Sequence, residues 1–287
     1  MASLGFRQLG RAAALLAAFL AMAASAGPAR AIGMAPAPVA AAAGMGTYYQ
    51  ATTIVTGRDM RMRPIGFARC LRAVLVKLTG EPRLERDPRV DAFAKHADAF
   101  VDSFDYVDQM AGVPIHDDQG TSDRSYNLIV HFVPEQINRI LAKLDMKVWR
   151  GARPVIVPVL AITGFDGKRY LLTYETPAGA DQREAFAGEA ADYGLAVRFP
   201  SAADLAAWGV GRNGFPEPKP GDAAPGDAVV AGTLEFHEDL PGWVARFRLR
   251  WQGTDYAWGS KGGNYDAAFR DLIRGVLRIA AGHGAPE

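Results

Sequence analysis

The sequence predicts an α+β protein in which an export signal precedes two mixed sheet-and-helix domains. Three observations carry this reading. Arg7 and Arg11 precede an uncharged run, Ala12 to Ala26, and Ala29-Arg30-Ala31 then offers small residues at the −3 and −1 positions of a signal-peptidase cut. Beyond residue 46, segments of period-2 alternation and of helical spacing follow one another, bounded by Gly, Pro and capping residues. Several neighbouring strands are joined by turn signals without helical crossovers, which favours two α+β units over one doubly wound sheet.

The fifteen uncharged residues reach only about 22 Å as a helix, short of the roughly 30 Å hydrocarbon core, so residues 1–31 are read as a cleaved signal and not as a retained anchor. Cleavage removes Arg7, Arg11 and Arg30 and no acid, taking the formal net charge from +1 to −2. Both signs remain mixed along the chain, which argues against a nucleic-acid partner. The single cysteine, Cys70, allows no internal disulfide and no lipidated N-terminal Cys; in its apolar helical setting it is expected to act as a small hydrophobe. The expected location is the periplasm, with no stable membrane insertion once the signal is removed.

Residues 32–46 are Ala, Gly, Pro and Met without charge and read as a flexible leader. The first domain, 47–150, opens with a strand at Tyr48 to Val55, rich in aromatic and β-branched residues and stopped by Gly57. After Pro64, Phe67, Leu71, Val74, Leu75 and Leu78 recur at helical spacing, with Gly80 at the stop. Asp87 and Pro88 form an N-cap and first-turn pair for a second helix. Phe100 to Val107 and Tyr126 to Phe132 alternate as half-buried strands around a polar loop at 108–124, and Pro134 opens a helix with Ile137, Ile140, Leu141 and Leu144 inward.

The second domain, 151–287, begins with a buried-looking strand at Val155 to Ile162, a partner at Arg169 to Tyr174, and a helix near Gln182 to Tyr193. A short strand at Ala196 to Phe199 leads to a helix opened by Ser201 and Asp204 as a capping pair. Residues 211–226 hold four Gly and four Pro and read as a long loop. Ala228 to Phe236, Trp243 to Trp251 and Tyr256 to Ser260 form a meander turned at Asp239-Leu240-Pro241-Gly242 and Gln252-Gly253-Thr254. Asn264 caps a last helix whose Phe269, Leu272, Ile273, Val276 and Leu277 face the sheet.

Catalysis needs groups that converge, and the sequence assigns no catalytic, cofactor-binding or metal-ligating residue. His116-Asp117-Asp118 with His131 carries ligand types for a metal, but at a spacing that matches no established zinc pattern. His237-Glu238-Asp239 reads as a surface turn and Ser201 as a cap. His96 falls on a polar helix side and His283 in the tail. Gly259-Ser260-Lys261-Gly262-Gly263 resembles a phosphate cradle only superficially, because its Lys precedes the glycines; a strand-to-helix turn is expected. Trp243 and Trp251 share strand parity with Phe247 and Leu249, so they are read as core, with a sugar- or peptide-binding platform that includes Trp258 as the other reading.

Leu71-Arg72-Ala73-Val74-Leu75-Val76-Lys77-Leu78-Thr79-Gly80, Phe100-Val101-Asp102-Ser103-Phe104, Val148-Trp149 and Arg153-Pro154 together resemble a proteobacterial family of exported proteins known only as a domain of unknown function. Gly232-Thr233-Leu234, Gly242-Trp243 and Arg248-Leu249 extend the resemblance over about residues 47–282. It implies no activity, cofactor or catalytic residue. The element order of the second half also resembles the α/β modules of periplasmic assembly proteins, such as the N-terminal domain of the TolB type and the activators of cell-wall synthases. From these readings we expect a soluble, non-catalytic periplasmic binding or scaffolding protein of the cell envelope, without cofactor, that contacts envelope protein partners. The alternative is a periplasmic hydrolase or metal-dependent enzyme using His116, Asp117, Asp118 and His131.

Overall fold

A computed structural model describes residues 45–111, 124–211, 213–219, 224–238 and 242–286. The expected signal, most of the leader, the His116-Asp117-Asp118 triplet and the Asp239 to Pro241 turn lie outside these residues. The described residues form a mixed α+β fold with two sheets and six α-helices. No helix among the described residues is long and apolar enough to cross a membrane.

The first sheet follows from alternation. β1 (Gln50–Thr56), β2 (Val101–Asp108) and β3 (Ser125–Phe132) pair antiparallel in the order β1-β3-β2, which sets Ala51, Val130 and Phe104 abreast on one face. The apolar stripe of α1 (Arg63–Thr79) covers that face, burying Phe67, Leu71, Val74, Leu75 and Leu78. The helix lies so close that a Cβ on Gly66 would stand 2.4 Å from a Leu128 methyl. α2 (Pro88–Ala94) begins where the cap-and-proline pair predicts, with the Asp87 carboxylate accepting from the Arg89 N–H. α3 (Pro134–Lys143) turns Ile137, Ile140 and Leu141 inward.

In the second sheet, β4 (Val155–Thr163) lies between β5 (Arg169–Leu171) and β7 (Asp227–His237), followed by β8 (Gly242–Trp251) and β9 (Thr254–Lys261); β6 (Ala196–Val197) pairs with β4 beside β5. β4 and β7 run parallel, so the chain between them crosses over through α4 (Ala180–Asp192), β6 and α5 (Ala202–Ala207). The expected strand at 169–174 is cut short. After Leu172, Arg183 Nη1 donates to the carbonyls of Thr173 and Thr176 and bends the segment into a turn. Ser201 and Asp204 form the predicted capping box. α6 (Tyr265–Ala280), capped by Asn264, packs Phe269, Leu272, Ile273 and Val276 against β8 and β9.

The two sheets lie on either side of residue 150, and the side chains between them form one buried cluster that includes Leu75, Leu78, Ile156, Phe186, Phe247 and Leu277. Their junction is the end of α1. Gly80, at φ +72, leaves the helix where a Cβ would meet Ala281 Cβ at 2.3 Å. Glu81 then pairs with Arg278 of α6, their side chains only 12% and 9% exposed, and His283 Nε2 lies 2.9 Å from the Thr79 carbonyl. The Trp149 N–H donates to the Leu78 carbonyl at 2.7 Å. Arg153 lies between the Tyr48 and Trp149 rings and donates to the carbonyls of Lys77 and Tyr193. The Leu-Thr-Gly helix end, Trp149 and Arg153, singled out by sequence, thus meet at one place.

Two predictions follow from this interior. Cys70 is fully buried and its Sγ points at the Ala51 carbonyl, and burial pushes its thiol up from 9.0 to about 12. The folded chain should therefore resist alkylation at neutral pH and react once unfolded in guanidinium. Because the unfolded thiol ionises first, its contribution to stability is complete below pH 9.0 and is lost as pH rises toward 12; Cys70→Ala removes that part of the slope. At the junction, Arg278→Met leaves the Glu81 carboxylate buried without its partner and should cost about 3–5 kcal/mol in urea unfolding, whereas Glu81→Leu with Arg278→Met should cost less.

Candidate functional site

α4 and α6 cover one face of the six-stranded sheet. On the other, α5 and the chain after it place Leu205, Trp208 and Val210 over Val157 and Val159 of β4, with Val229 of β7 packed beside them, while β8 and β9 are left open among the described residues. Alternation on β8 turns Trp243, Ala245, Phe247 and Leu249 into the core and Arg246, Arg248 and Arg250 out onto the open face, about 6.8 Å apart. The strands beside them carry small residues. Thr233 and Gly259 flank Arg246, and Ala231 and Ala257 flank Arg248. The arginines therefore rise from a low floor, and residues 213–219 form a wall beside them. Two adjoining hollows result, of about 740 and 1160 Å3, which share Phe215, Arg248 and Ala257.

Charge organises the face. Glu235 lies 3.7 Å from Arg169, 3.6 Å from Arg246 and 3.8 Å from His237. Arg248 pairs with Glu217 at 3.0 Å and its guanidinium lies 4.4 Å from the Phe215 ring centre, while Arg169 donates to the Gly214 carbonyl; these contacts hold the wall to the sheet. Arg246 and Arg248 nevertheless keep 66% and 60% of their side-chain surface exposed. Lys261 adds another cation at the open edge, and Asp227 and Asp255 bring the carboxylates on the lining to four, against Arg169, Lys219, Arg246, Arg248, Arg250 and Lys261. The Thr233 hydroxyl, in a residue only 3% exposed, has no hydrogen-bond partner among the described residues. Guanidinium groups carry planar, forked N–H donors, so this arrangement can bind anions and stack on planar groups.

The residues singled out by sequence are dispersed. Trp243 is buried with Phe247 and Leu249 under α6, as strand parity predicts. Trp258 also faces α6, packed so closely on Gly275 that a Cβ there would lie 2.5 Å from the indole. Of the Gly259 to Gly263 stretch, Gly259, Ser260 and Lys261 belong to β9, and the strand-to-helix turn is confined to Gly262 and Gly263, both at positive φ, before Asn264, which accepts from the Ala267 N–H. His131 sits on β3 in register with Gln50 and Ser103, and its expected partners at 116–118 lie outside the described residues. Among the described residues no three of His, Cys, Asp and Glu gather as a metal site. His96 is exposed, and His237 stands at the rim beside Glu235. His283 was expected only as part of the tail, and it belongs to the junction. The arginines of β8 were missed, although their period-2 spacing is plain in Arg246, Arg248 and Arg250. The exposed pairing of Arg248 predicts that Arg248→Ala speeds hydrogen exchange in residues 213–219 while changing global stability by less than about 1 kcal/mol.

Residues 42–150 match a family described as a domain of unknown function (DUF8605). The match takes in the three-stranded sheet, its helices and Trp149; the open arginine face lies beyond it. No curated protein and no solved structure matches the chain.

Proposed function

We propose that this chain is an exported binding or scaffolding protein of the bacterial cell envelope, and that it takes an acidic segment of a protein partner on the open face of the six-stranded sheet. The observation that carries the reading is the row of Arg246, Arg248 and Arg250 over a floor of Ala and Gly, walled by Phe215. Such a surface supplies charge-assisted hydrogen bonds and a stacking ring at sites a partner can reach, and arginine and aromatic side chains are the types that dominate protein interfaces. Export rests on the N-terminal pattern of Arg7, Arg11, the apolar run and Ala29-Arg30-Ala31.

The test is a photocrosslinking residue placed at Phe215 and, as control, at exposed Lys95 beyond α2, in cells that express the whole chain. Crosslinks to an envelope protein at Phe215, absent at Lys95 and lost in Arg246→Glu with Arg248→Glu, are the expected result. Equal crosslinking at both positions, or adducts that survive the charge reversal, would contradict it. The chain should also be recovered from the periplasmic fraction with Ile32 at its N-terminus; a chain retaining Met1 in the cytoplasm would remove the export part of the reading.

A further inference from the structure

A strand at the edge of a sheet presents unpaired N–H and C=O groups, and folded proteins usually blunt it. Most of the sheet edges among the described residues are blunted in this way. Along β1, α1 supplies donors to outward carbonyls: Lys77 Nζ to that of Gln50 at 2.8 Å and Arg69 to that of Ile54 at 3.4 Å. β2 carries a bulge between Val101 and Ser103 and three carboxylates, Asp102, Asp105 and Asp108. β5 and β6 are three and two residues long.

β9 is less protected, its charges confined to Asp255 and Lys261 near its two ends. It runs eight residues in unbroken register with β8, without proline or bulge, and Ala257 and Gly259 at its middle are exposed. Gln252 and Gly253, at φ 49 and 84, make the two-residue turn that joins it to β8, so the closing pair Trp251 and Thr254 exchanges both backbone hydrogen bonds. Alternation then directs the backbone of Tyr256, Trp258 and Ser260 toward β8, and that of Asp255, Ala257, Gly259 and Lys261 outward. No described residue hydrogen-bonds to the backbone of Ala257 or Gly259.

We infer that β9 is the docking edge for a second copy of this chain, joined antiparallel across a two-fold axis at Trp258. The edge is complementary to itself in one register. About that axis Asp255 faces Lys261 of the second copy and Ala257 faces Gly259, so every outward residue meets an outward residue and opposite charges stand across from each other at both ends. A shift by one residue sets outward groups against inward ones. A shift by two loses one pair and sets Asp255 opposite Gly259. The small side chains at 257 and 259 leave the approach open. The Asp255 carboxylate, 3.8 Å from Arg250 in a well-exposed pair, can still be reached. The paired sheets would carry both arginine faces on one side, but the inference stands whether or not those faces bind a partner.

Sedimentation equilibrium of the purified chain tests it. The expected result is a two-chain mass at micromolar concentration, shifted to one chain by Ala257→Pro, which removes an outward N–H and leaves the β8 ladder intact. Asp255→Lys or Lys261→Asp alone should weaken association about tenfold or more, and the two together should restore it. Should a variant misfold, hydrogen exchange at Ala257 and Gly259 of the unaltered chain still decides: it should slow as concentration rises. A one-chain mass at every concentration, a dimer that survives Ala257→Pro, a double reversal that does not restore pairing, or exchange independent of concentration would each overturn the inference.

Discussion

The carboxylate of Glu81, buried against the Arg278 guanidinium, ties the end of α1 to the last turn of α6, and the arrangement of both sheets depends on that tie. The two residues are 197 positions apart in the chain. Taking both charges out of water is costly, and the site offsets the cost with further hydrogen bonds: Glu81 also accepts from the Arg83 N–H, and Arg278 Nε donates to the Ala285 carbonyl. Gly80 makes the geometry possible, because only a residue without Cβ can leave the helix at φ +72 against Ala281. Nearby, Arg274 donates to the Pro82 carbonyl and pairs with Glu85 at 2.6 Å, so the short turn after α1 is held to α6 at several points.

This attachment decides which surfaces stay open. α6 is clamped to α1 at one end and packs against β8 and β9 along its length, so one face of the six-stranded sheet is committed to the shared core. Among the described residues the opposite face receives α5 and the wall at 213–219, and small residues on β7 and β9 leave the β8 arginines standing clear. Burial also acts on the groups beneath α1. It holds the Lys77 ammonium below its ordinary range while Nζ donates to the Gln50 carbonyl, and it raises the Asp192 carboxyl, with Glu189 adding to that rise. Lys77 belongs to the interior under α1, whereas Asp192, like the charges of the open face, remains in contact with water.

Much of the fold was legible because its signals are local. Period-2 alternation located most strands within a few residues, and Asp87-Pro88, Ser201 with Asp204, and Asn264 marked helix starts that the structure keeps. Parity placed Trp243, Phe247 and Leu249 in the core. The junction could not be read this way. Gly80 was visible as a helix stop, but an ion pair between residues 81 and 278 leaves no pattern within any window, and His283 looked like part of a tail. The open face was hidden for a different reason: the parity that identified the core of β8 assigns the arginines to the other side, and only the crossover leading from β4 to β7 decides that no helix covers them there.

The Glu81 and Arg278 contact joins the two sheets, and one cooperative unit is the expected consequence. Hydrogen exchange of the whole chain across a urea series tests it most directly, by comparing the opening free energies of the slowest amides in α1 and in α6. They should converge on one value and fall together with denaturant. Opening of α1 and its sheet at a clearly lower free energy than α6 would contradict it.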